Sequence, residues 1–111
     1  MTKAFVPDAG DIVWIDFSPR QGREQAGRRP AVVLSPASYN SMVGLMVCCP
    51  TTTRIKGFPF EVLIAGDPPS VALADHVKSL DWRQRKAQPK ARAHPAELDE
   101  IRAKIAALLQ L

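Results

Sequence analysis

Over most of the chain the apolar positions fall in short bursts separated by breakers, a strand-and-turn pattern, and only the last segment carries a helical stripe. Residues 11–17 (DIVWIDF) set Val13 and Ile15 on one side of an extended chain and Ile12, Trp14 and Asp16 on the other, which predicts a β-strand. Residues 18–29 (SPRQGREQAGRR) are broken by Pro19, Gly22 and Gly27 and hold four arginines against one acid, so they predict a long basic loop and no core element. Pro30 opens PAVVLS, where the run Val32, Val33, Leu34 predicts a strand buried on both faces. A turn is expected over 38–44. The apolar run 45–49 ends at Pro50 and the triplet Thr51, Thr52, Thr53, whose end is expected to face solvent.

Residues 54–57 predict a basic turn, 58–64 a strand, GDPPS at 66–70 a turn, and 71–80 a further extended segment. Up to Trp82 these short strands imply a small antiparallel barrel and not a parallel sheet. Residues 78–92 hold six basic residues against the single acid Asp81, and the part after Trp82 has almost nothing to bury, so a surface connection is expected. The pattern then changes. Pro95 suits a first helical position, Glu97, Asp99 and Glu100 suit the opening turn, and Leu98, Ile101, Ile105 and Leu108 repeat at helical spacing. The fold class expected is mainly β with a C-terminal amphipathic helix.

Composition narrows this to one domain: 111 residues, 46% of them apolar and 23% charged, suffice for one packed core. A net charge of +4 favours anionic partners such as nucleic acid or an acidic protein segment. Cys48 and Cys49 are adjacent, which offers neither a disulfide framework nor zinc spacing and reads as a reducing cytoplasm. No stretch approaches the roughly 20 apolar residues of a membrane span, and residues 1–10 lack the apolar core of a signal peptide.

The chemistry the sequence offers is Glu24 among Arg20, Arg23, Arg28 and Arg29, a proton acceptor beside guanidinium groups that suit phosphate. By spacing and composition alone this reads first as a solvated loop whose charges keep the protein soluble. His76 reads as a structural or surface histidine, Asp75 as the partner of a nearby arginine, and the two cysteines as core. Trp14 reads as half core and half surface, with a face that could stack on a base.

Four blocks, PDAGDIVWIDFSP, EQAGRRPAVVLSP, TTTR with its following KGFPFEV, and VALADHVKSLDWR, resemble successive landmarks of the MazF/PemK family over nearly the whole chain. The resemblance implies an SH3-like barrel, a homodimer, and a toxin of a toxin-antitoxin pair that cleaves single-stranded RNA at specific sequences. It also implies a cognate antitoxin whose acidic flexible segment covers the basic site. Matched position by position, the family's loop glutamate falls on Glu24, its arginine before proline on Arg29 and its strand-end threonine on Thr52.

One branch of the family has a histidine before the glutamate and an arginine two residues ahead of the matching aspartate. Here those positions hold Arg23 and Leu73, while Asp75 is kept, so the MazF branch is the better match. RNA contacts are expected from Arg20, Arg23 and Arg28, from Thr51, Thr53, Arg54 and Lys56, from Asp75 and His76, and from the basic run Lys78, Arg83, Arg85 and Lys86.

These residue types suit cleavage without cofactor or metal, in which the ribose 2′-hydroxyl attacks the adjacent phosphorus and leaves a 2′,3′-cyclic phosphate and a 5′-hydroxyl. Glu24 takes the proton, Arg29 holds the phosphate oxygens and Thr52 orients them. The alternatives are a non-catalytic toxin of the same fold that binds a protein such as DNA gyrase, or a barrel that binds nucleic acid without cutting it.

Overall fold

The computed structural model describes residues 4–17 and 27–111. Among the described residues the strands are β1 (Asp11–Asp16), β2 (Arg28–Val33), β3 (Leu45–Thr52), β4 (Glu61–Ile64), β5 (Ser70–Leu73), β6 (Lys78–Asp81) and β7 (Gln88–Arg92), with helices α1 (Ala37–Val43) and α2 (Pro95–Leu109). All the strand pairs are antiparallel, in the order β4-β5-β3-β2-β1-β7, with β6 also on β3. The mainly β fold with a terminal helix is therefore as expected.

Consecutive apolar residues in the central strands serve opposite faces. Ile12, Val32 and Cys49 join Val62, Ile64, Ala72 and Ile101 in one core under α2, while their neighbours Val13, Val33 and Cys48 join Ile15, Phe17, Met46, Leu80 and Trp82 in another. Strand β2 is thus buried on both faces, as read, but it begins two residues earlier, so Arg28 and Arg29 are strand residues and not loop.

Strand β3 runs through Pro50 to Thr52, past the expected end of the apolar run. Its first residues pair with β6, from Leu45 opposite Asp81 to Cys48 opposite Lys78, and its last with β5, Thr51 opposite Ala72 and Thr52 opposite Val71. The edge facing it has three surplus residues between those two ladders, and they form a 3-10 turn, Ala74–His76. The expected extended segment 71–80 is therefore two strands broken by a turn.

Three further expectations need correction. The turn over 38–44 is the short helix α1, closed by Gly44 at φ +77°, where a left-handed conformation suits glycine. The surface connection after Trp82 contains β7, a strand exposed at all five positions that pairs with β1 through its backbone. The strand expected over 58–64 is confined to β4. In α2, Pro95 occupies the first turn, Ile101 is buried, Leu98 and Ile105 pack beside it, and the stripe ends before Leu108, which is exposed.

Candidate active site

The end of β3 and the start of β2 lie side by side, because Ala31 pairs with Pro50. Proline has no N–H to give the ladder, and the Thr51 hydroxyl donates instead to the Pro30 carbonyl at 3.4 Å. Thr51 is 3% exposed, so it is a ladder residue and not the solvent-facing one expected. Thr52, half-buried, presents its hydroxyl oxygen to the Arg54 N–H at 3.1 Å, which fixes the oxygen and leaves the hydroxyl proton free to donate. Thr53, Arg54 and Lys56 are exposed.

Arg29, exposed on β2 opposite Ile15, lines with Thr51, Thr52 and Thr53 a single cleft of about 400 Å³. Its other walls are Trp14 of β1, Lys90 and Arg92 of β7, and residues 64–68 with Ser70 from the β4–β5 hairpin. Arg92 is held by an ion pair with Asp11 and donates to the Ala9 carbonyl at 3.3 Å. Lys90 places its ammonium 5.3 Å from the centre of the Trp14 ring. The cleft thus joins three cations, Arg29, Lys90 and Arg92, to hydroxyl donors, with Asp67 as an acid on the rim. Sequence reading found Arg29 and the threonines but missed Lys90 and Arg92. Their alternation at 90 and 92, a strand signal, was hidden in a run read for charge alone.

The remaining expected RNA contacts lie elsewhere. Arg28 is fastened by Nη1 to the Asp16 carboxylate at 3.0 Å and by Nη2 to the Lys86 carbonyl at 2.6 Å and Gln88 Oε1 at 2.8 Å. Arg85 donates to the Asp16 carbonyl at 2.9 Å, Arg83 lies 4.6 Å over the Trp82 ring and Lys78 lies 5.6 Å over Phe17. Arg28, Arg85 and Lys78 thus gather around Asp16 and Phe17 at the end of β1, where the Phe17 N–H meets the Gly27 carbonyl at 2.9 Å. Asp75 and His76 sit exposed on the 3-10 turn, outside the cleft lining. Glu24, Arg20 and Arg23 lie outside the described residues. Burial pushes the Cys48 and Cys49 thiols up to about 12, so neither supplies a thiolate near neutral pH.

A small barrel with a guanidinium and hydroxyl donors over an open basic cleft is built to hold an extended anionic chain. The chain belongs to the PemK-like, MazF-like toxins of type II toxin-antitoxin systems, whose family model matches residues 8–109. It is 53% identical over 110 residues to the endoribonuclease toxin MazF of Escherichia coli K12, covering 98% of this chain and 99% of that one. The fold matches a crystal structure of MazF from Deinococcus radiodurans with a TM-score of 0.91 at 52% identity, over 97% of this chain and 100% of that one. A MazE-MazF crystal structure from the same organism matches with a TM-score of 0.86 at 48% identity, over 97% of this chain and 99% of that one.

Proposed function

We propose that this chain is the endoribonuclease toxin of a type II toxin-antitoxin pair, and that it cuts single-stranded messenger RNA in the cleft holding Arg29 and Thr52. The observation that carries the reading is this convergence: residues far apart in sequence, Arg29 on β2 and Thr52 on β3, line one cleft with two further cations.

In the reaction the Glu24 carboxylate takes the proton of the ribose 2′-hydroxyl. The O2′–P bond forms as the P–O5′ bond breaks, and the departing oxygen takes up a proton. The Arg29 fork carries the charge that builds on the non-bridging oxygens, and the Thr52 hydroxyl, its oxygen already set by the Arg54 N–H, donates to the same phosphate. No step asks for a metal ion. The toxin acts in the cytoplasm as a homodimer, and its antitoxin lays an acidic flexible segment over the same cations.

Cleavage of a long unstructured RNA in excess chelator tests the reading and maps the cut. Product ends should be a 2′,3′-cyclic phosphate and a 5′-hydroxyl. A 2′-deoxyribose placed 5′ to the cut should abolish cleavage while binding largely survives. Cleavage of that deoxy substrate, or strict dependence on magnesium, overturns the mechanism.

A further inference from the structure

The mechanism uses Arg29 and Thr52 of the cleft, and the lining also holds an aromatic ring with no assigned task. Trp14 is 36% exposed although its strand is paired on both sides, with Pro30 on β2 and Gln88 on β7 as its neighbours. The other tryptophan makes the contrast: Trp82 is buried and its Nε1–H donates to the Asn40 carbonyl at 2.9 Å. Among the described residues the Trp14 Nε1–H has no such acceptor, so the ring brings an apolar face and an unused donor to the cleft.

Position decides what that face can serve. The register sets Trp14 opposite Pro30 and Ile15 opposite Arg29, which turns Trp14 and Arg29 to different faces of the strand pair, yet both line the one cleft together with Lys90. Lys90, on the next strand out and exposed, already sits over the ring. A cation on a flexible stem beside a π-face, in the cleft that Arg29 also lines, is what an unpaired nucleotide requires. The base stacks and the phosphates find charge.

We propose that Trp14 and Lys90 form a base-stacking subsite for a nucleotide adjoining the bond that is cut. The subsite rests on the endoribonuclease reading and adds to it a contact that serves substrate binding and not the chemical step. When the base arrives, the Lys90 ammonium leaves the ring face and pairs with the flanking phosphate. Stacking accepts any base, so Trp14 contributes affinity and register, and base identity is read elsewhere.

The test uses the full-length protein and an oligoribonucleotide spanning its mapped cut site. Trp14→Leu, which keeps an apolar side chain but loses the π-face, should raise KM about tenfold with kcat nearly unchanged, and Trp14→Phe should recover most of the loss. An abasic nucleotide at one position beside the cut should weaken binding to the wild type and not to Trp14→Leu. Lys90→Gln should lower the log-log salt slope of binding by about 0.7.

In case the leucine variant misfolds, a second measurement needs only the wild type. An oligonucleotide made uncleavable by one 2′-deoxyribose should quench the exposed indole, and its abasic version should not. Unchanged KM in a folded Trp14→Leu, a kcat effect without a KM effect, or equal quenching by the abasic strand overturns the subsite. So does a Trp14→Leu variant that loses affinity for an acidic peptide but not for RNA. A wild type that cuts no RNA refutes the endoribonuclease reading instead.

Discussion

Arg28 and Arg29 are adjacent and equally charged, yet their surroundings give them different work. Arg29 lines the cleft, so Arg29→Ala should cut the cleavage rate by roughly 10² to 10³ while the protein still folds. Arg29→Lys should recover only part, because lysine keeps the charge and loses the planar fork. A folded alanine variant with near-normal rate would remove Arg29 from the chemistry. Arg28 is tied to Asp16, Lys86 and Gln88 and so links the start of β2 to the end of β1 and the start of β7. Arg28→Ala should therefore cost about 1 to 3 kcal/mol of stability, several degrees in melting temperature, and leave the salt slope of RNA binding where it was. A slope reduced by about 0.7 with no loss of stability would instead make Arg28 a phosphate contact.

At the scale of elements, α2 depends on one side chain more than its sequence suggests. Glu97 accepts the His94 N–H through Oε1 and the Ala65 N–H through Oε2, each at 2.8 Å, so one carboxylate both caps the helix and anchors it to the end of β4. Glu97→Ala should destabilise the protein by about 1 to 2 kcal/mol, read by chemical denaturation, and a loss within error would show the cap to be idle. This helix was legible because its apolar stripe, its proline and its acids agree. α1 was not: its seven residues bury no stripe, and its one fully buried side chain is the polar Asn40, bonded to the Pro7 and Ser35 carbonyls. Strand β7 was illegible for the opposite reason, since an exposed charged edge strand is held by backbone hydrogen bonds that leave no apolar trace. Of the cleft, Arg29 and the threonines were readable through resemblance, while Lys90 and Arg92 come to it only through the pairing of β7 with β1.

For the molecule as a whole, two cores share one sheet, and Cys48 and Cys49 report on one core each. Alkylation requires a thiolate, and burial holds both thiols near 12, raised from 9.0. At pH 8 iodoacetamide should therefore label both at the slow, common rate of global unfolding, followed as the direct appearance of doubly modified protein by mass. Singly modified protein building up first would mean that one core opens alone. The folded state holds these protons more tightly than the unfolded one. Their contribution to stability is thus whole below pH 9.0 and is lost as pH rises toward 12.

Strand β3 joins these levels: its first half pairs with β6, its middle residues sit in both cores, and its last two pair with β5 and deliver Thr52 to the cleft. One short ribbon is therefore at once foundation and tool. Its interior cannot drift without tilting the hydroxyl it carries. Residues 65–68, which rim the cleft from outside any strand, are bound by no such double duty, so substitutions there can reshape the cleft while that hydroxyl stays where it is.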